Sequence, residues 1–313
     1  MFPPLRNRLL VIAGILLGSW VWCFAATALV PGDGSGAPAL WWAEGGPAMA
    51  VVKLLLFGLP IIGISLVASS TGNPLSGLFA LATGLWIVAA QGATIEGWFH
   101  RTDASLPGDY FKLAIEVVIW CAAMLLFLIG AIRLRKPMRA KLPMVIDEDR
   151  GGDDMTIGIP DRATWVASLS TAVISAVLCF FLVRTADKGQ VIGALMVSFM
   201  IGSLMGDILC AFLFQKHPSN VAWVVIAPTL VGLGAYIQTA IGYGQGDAFR
   251  SAVFNGGVSG LSLVLPIYYA SAAIAGCCLG AGWVRLLLPG EEEEPHIETE
   301  DGDDANSNLK TEG

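Results

Sequence analysis

Residues 189–214 read GQVIGALMVSFMIGSLMGDILCAFLF, an apolar run in which Asp207 is the single charged residue. A bilayer core about 30 Å thick needs roughly 20 mostly apolar residues, because a helix rises about 1.5 Å per residue. Lipid offers no partner to a free backbone group, so such a run satisfies its own hydrogen bonds as a helix. Gly202 and Gly206 sit four apart within it, a GxxxG spacing that lets a second helix backbone approach closely. The stretch is therefore predicted to be a transmembrane helix with a close neighbour and a carboxylate at membrane depth.

Working outward, seven further stretches meet the same test: Leu9–Val30, Pro47–Ser69, Leu75–Ile95, Phe111–Ile132, Ala163–Val183, Val221–Ile241 and Leu261–Leu288. The predicted fold is all-α, a polytopic transmembrane helical bundle of about eight spans. An alternative start exists. Arg6 and Arg8 precede an apolar run that ends in Ala26-Thr27-Ala28, which also fits a signal-peptidase site and would leave seven spans. That run is long for a signal segment and holds Trp20 and Trp22, so the uncleaved span is the expectation.

Composition agrees. Apolar residues make up 55% of the chain and charged residues 14%, against about a quarter charged in soluble domains. From Pro289 onward ten acidic residues face one lysine, a balance of −9; the total of −7 leaves +2 on the rest. The acidity belongs to a tail over 289–313 that reads as disordered and cytoplasmic. The remainder carries no basic stripe, so nucleic acid is not an expected partner. The six cysteines all fall inside apolar runs without CxxC or Cys/His spacing, and read as small packing residues rather than zinc ligands or disulfides.

Charge placement orients the bundle. With the N-terminus inside, twelve lysines and arginines fall on the cytoplasmic side and five outside, with Lys53 inside a span. This asymmetry predicts a multi-pass protein of the cell (inner) membrane with both termini cytoplasmic. Trp41, Trp42, Trp98, Trp165 and Trp223, near span ends, are expected as interfacial anchors. The polar stretch 133–162 reads as a flexible cytoplasmic linker between a first four-span half, 1–132, and a second, 163–288. A 4+4 duplication would match Pro74 with Pro218 and Gln91 with Gln238, but the two spacings are 17 and 20 residues, nearly a helical turn apart.

Ionisable residues inside a span are costly and usually face the bundle interior. Lys53 and Glu116 fall at similar depth in the outer half, with Gln91 close by and Gln238 as a fourth candidate. One reading makes them an outward-facing polar pocket for a small solute. The other lets Lys53 snorkel to the interface while Glu116 pairs with Lys112, one turn back. Asp207 lies deeper, level with Thr229, and Pro228 leaves the Val224 carbonyl without its helical donor. That group reads either as a cation or proton site or as a protonated carboxyl holding helices together.

In the loops, Glu96 and His100 are four apart, but Gly97 interrupts and no second histidine lies in this loop. An interfacial loop anchored by Trp98 and Phe99 is expected, with no metal. The glycine-rich loop from Gly242 to Gly260 is read either as lying on the surface or as dipping in as a re-entrant turn. No paired intramembrane aspartates, GxSxG or HExxH occur, so no enzyme and no cofactor are expected. The sequence thus leaves a non-enzymatic membrane-embedded module or subunit, with the bilayer and membrane proteins or a second copy as partners. The alternative is a small-solute or ion transporter using Lys53, Glu116 and Asp207.

Overall fold

The computed structural model describes residues 9, 11–17, 20, 29, 36–71, 73–101, 107–141, 156–215, 217–243 and 246–287. Among these the architecture is all-helical. The long elements are α1 (Gly46–Thr71), α2 (Pro74–Gln91), α4 (Pro107–Lys141), α5 (Arg162–Leu182), α6 (Lys188–Phe214) and α7 (Trp223–Gly242). Two short helices, α3 (Ile95–Arg101) and α8 (Asp247–Phe254), lie between them. The last helix, α9, is composite: Pro266–Tyr268, a π turn over Tyr269–Ala273, then Ile274–Leu287.

Six of these helices are long and apolar enough to cross a membrane, and α1 makes a seventh if its two halves count as one span. The expected first span, Leu9–Val30, and the acidic tail fall largely or wholly outside the described residues, so neither eight spans nor a 4+4 arrangement is established. The halves bend by 53° between Leu56 and Gly58. Pro60 explains the bend, since its missing N–H leaves the carbonyl of Leu56 without a helical donor.

Helix ends follow local chemistry. Asn73 caps α2 by accepting from the Leu75 N–H at 2.9 Å, with Pro74 at the first helical position, where a missing N–H costs nothing. Pro266 plays the same opening role for α9. The expected eighth span therefore starts late, because Gly260–Leu263 is a 3-10 turn rather than the head of a helix. Nor does Pro218 mirror Pro74. It lies in the turn before α7, whose first residue is Trp223, so the two prolines do not mark equivalent helix starts.

α9 is the axis of the bundle. Buried residues make up 83% of its membrane-length window, against 33–56% in the other five spans. It packs on α2, α4, α6 and α7. The outer helices turn large apolar side chains outward, as with Val173, Val177 and Phe181 of α5, exposed by 62%, 51% and 58%. In water that pattern would be costly; toward acyl chains it is favourable.

Glycines permit the tightest crossings. A Cβ at Gly206 of α6 would overlap Thr171 Oγ1 and lie 3.1 Å from Ala167 O; one at Gly202 would overlap Ser175 Oγ and lie 3.0 Å from Thr171 O. The GxxxG pair is thus the seam between α6 and α5. Gly276 and Gly280 of α9 meet the other side of α6 in the same way, against the backbone of Met196 and Met200.

Two expectations change here. The stretch from Arg133 begins as helix, because α4 runs on to Lys141. Farther along, Thr156 pairs with the turn before α7: its N–H donates to Ser219 O at 2.9 Å and its carbonyl accepts from Val221 N–H at 3.1 Å. Of the expected tryptophan anchors, Trp165 is 45% exposed whereas Trp223 is 1% exposed. Trp223 is a core residue.

Candidate functional site

Glu116 is fully buried in α4. Its partners are neutral donors: the Leu40 N–H reaches Oε2 at 3.0 Å, the Trp120 indole N–H, one turn on, reaches Oε1 at 3.2 Å, and the Trp41 N–H also faces the carboxyl. Leu40 belongs to a segment before α1 in which Ala37, Pro38, Ala39 and Leu40 are all buried. This stretch enters the bundle, and the Ala93 N–H ties it to the end of α2 by donating to Gly36 O at 2.6 Å. Non-helical backbone at this depth needs partners for its N–H groups, and the carboxylate supplies one.

The structure does not bring the anticipated cluster together. Lys53 is half-buried on α1 and makes no ion pair with Glu116. Lys112 does not pair with Glu116 either, because its ammonium lies 2.8 Å from Asp109. Gln91 ends α2 and is exposed, and Gln238 is exposed on α7. Neutralising Lys53 and Glu116 singly and together should therefore give additive stability changes, within about 0.5 kcal/mol. A larger coupling in thermal unfolding of the four proteins would mean the two charges meet.

At the opposite end, Asp207 is fully buried on α6 and lies 2.8 Å from the Nδ1 of His217. The chain reverses through Gln215, whose left-handed backbone (φ 55°, ψ 25°) ends α6. His217 thereby returns toward the helix, with its side chain 26% exposed. His217 falls between the apolar runs 189–214 and 221–241; the ten-residue separation gives no helical signal, and only the reversal joins the two. Thr229 does not join them. Its hydroxyl donates to Val225 O at 2.8 Å, beside the Pro228 break. It lines a cavity of about 10 Å³ with Val117, Trp120, Cys121 and Tyr269, room for about one water.

No family model, curated protein or solved structure matches the chain. Its function has to be read from its own geometry.

Rings gather at the end where α3 and α8 lie. Tyr110 of α4 has its ring centroid 6.0 Å from Tyr236, 5.6 Å from Phe249 and 6.5 Å from Phe99. Phe99, expected as an interfacial anchor, is 3% exposed within this group. Tyrosine hydroxyls also hold the non-helical run ahead of α9. Tyr236 donates to Val264 O, Tyr269 to Leu261 O at 2.9 Å, and Tyr243 to Gly257 O at 2.6 Å. The loop thus resolves into two parts: residues 255–257 are exposed and residues 262–265 are buried against α7. No group of three or more metal-ligating side chains occurs among the described residues.

Proposed function

We propose that this chain is a non-enzymatic, membrane-embedded module of the cell membrane, crossing several times with both termini cytoplasmic. The observation that supports it best is the way α6 is used. Glycines bring it against α5 on one side and α9 on the other, and its one carboxylate is engaged by His217 at the helix end. Polar groups there serve helix association rather than an open passage. The Ser203 hydroxyl adds a tie, donating to Cys277 O of α9 at 3.2 Å.

Thiol labelling tests this reading. In a background without other cysteines, a cysteine at position 207 should stay unlabelled by a water-soluble maleimide added from either side of the membrane. Rapid labelling would reveal a water-filled path and favour an ion or solute carrier. Separately, Asp207→Asn and His217→Ala should show a coupling of about 1–3 kcal/mol in a double-mutant cycle. Additive effects would mean that the contact does not hold the end of α6.

The small-solute reading keeps one specific observation in its favour. The last helix is entered through irregular buried backbone and carries a π turn at Tyr269–Ala273, and such departures concentrate at ligand sites within membranes. Glu116, rather than Lys53 or Asp207, is the residue on which that reading rests.

A further inference from the structure

We propose that the outer half of α7 is the surface on which a second copy of this chain docks, with Gln238 of each copy hydrogen-bonded to the other. The dimer rests on the membrane-module reading and gives that module its partner. Leu230, Gly234, Ile237 and Ile241 recur at steps of four, three and four residues, the spacing that lines side chains along one packing face of a helix. α7 packs on α4, α5 and α9, and its outer half leaves this face open. Leu230 is half-buried, Gly234 and Gln238 are exposed, and Ile237 and Ile241 are exposed by 41% and 74%.

Exposed isoleucines suit lipid, but an exposed amide does not. The 20 residues of α7 extend about 30 Å, the thickness of the hydrocarbon core. Gln238 lies four residues inside the outer end, about 6 Å along the axis. Among the described residues its amide has no hydrogen-bond partner, and hydrocarbon supplies none. Thr239, the next residue, shows the contrast: it is buried, and its hydroxyl donates to Ala235 O at 2.9 Å. Gly234, one turn before Gln238 on the same face, has nothing within 4 Å of where a Cβ would stand. The backbone of α7 is therefore bare to an approaching helix beside an amide that needs a partner.

Symmetry selects the occupant. Two copies inserted in the same orientation are related by a two-fold axis along the membrane normal, which sets residues of equal depth against each other. Gln238 then meets Gln238, and a carboxamide carries both the donor and the acceptor of a reciprocal pair. A different chain would need a polar group of its own at that depth. Other parts of this chain are placed elsewhere or are unsuited. A Cβ at Gly14 would lie 3.3 Å from Ile64 of α1 and 3.6 Å from Ala80 of α2, so that stretch packs away from α7. The tail from Pro289, with its balance of −9, is kept out of hydrocarbon by its charge.

The test uses the full chain, carrying a donor or an acceptor fluorophore at its C-terminus, in phosphatidylcholine vesicles at a series of protein densities. Energy transfer above that of randomly placed copies is expected, saturating as density rises. Gln238→Leu should weaken self-association about fivefold or more, and Gln238→Asn, which keeps the amide, should weaken it less. Gly234→Leu should weaken it as much as Gln238→Leu. Its side chain enters open space, so thermal unfolding in dilute detergent should match wild type. In a cysteine-free background, Ile241→Cys should oxidise to a covalent dimer, whereas Val173→Cys, on the lipid side of α5, should not. Transfer no greater than random at every density overturns the proposal; so does self-association that neither Gly234→Leu nor Gln238→Leu weakens. Cross-linking of Ile241→Cys to a different protein in native membranes, with no self-association of the purified chain, overturns it in favour of another membrane partner. Each of these results leaves the module reading standing, since that reading falls instead to labelling at position 207.

Discussion

Gly280→Val should prevent accumulation of folded protein, or lower its stability by about 3 kcal/mol or more, the upper range for overpacking a tight interface. The added Cβ would overlap the Ser203 hydroxyl and the Met200 carbonyl and lie 3.0 Å from Leu204 N. Two of those three atoms are helix backbone, which cannot rotate away as a side chain can. Gly276→Val should behave alike, since its Cβ would overlap Met196 O and sit 3.1 Å from Met200 N. The contrast lies at Gly193 and Gly234, helical glycines with nothing within 4 Å of a Cβ. Alanine there should be neutral or slightly stabilising, as the gain in helix propensity is not opposed by a clash. Thermal unfolding in detergent, monitored by tryptophan fluorescence, measures all four. Tolerance of Gly280→Val would mean that α9 is not the central helix.

Glu116→Ala carries the next largest expected effect, a loss of about 2–5 kcal/mol. The substitution strands at least two buried donors, the Leu40 N–H and the Trp120 indole, and each unsatisfied group costs about 1–3 kcal/mol. It also releases the 37–40 segment from α4. Glu116→Gln should cost less, because its amide oxygen still accepts one of the two hydrogen bonds. Limited proteolysis reads the second consequence: cleavage near residues 36–45 should become faster in Glu116→Ala and much less so in Glu116→Gln. Equal protection in wild type and Glu116→Ala would show that the carboxylate does not hold this segment in place.

Much of the helical layout was legible because hydrocarbon imposes one rule on every span, a run of about 20 apolar residues. The GxxxG pair of α6 was legible for the same reason, since small residues at a four-residue spacing lie on one helix face. The Pro60 bend followed from its missing N–H. The candidate pair Lys53 and Glu116 was argued from depth alone, and depth does not state which way a side chain turns around its helix axis. Pro266 falls inside the expected eighth span, Leu261–Leu288, yet starts a helix, because the residues upstream of it form a 3-10 turn rather than a preceding helical turn.

By itself, the order of residues determined helix-length apolar runs, the helices' close-packing glycines and an acidic tail apart from a near-neutral body. These are local properties, set by composition and by spacing along a single helix. Only the tertiary structure decided that the last helix is the central one, that Asp207 meets His217, and that Glu116 meets backbone rather than a cation. Each of those depends on contacts between distant segments. Their geometry comes from how helices rotate and cross, and no spacing within one helix encodes it.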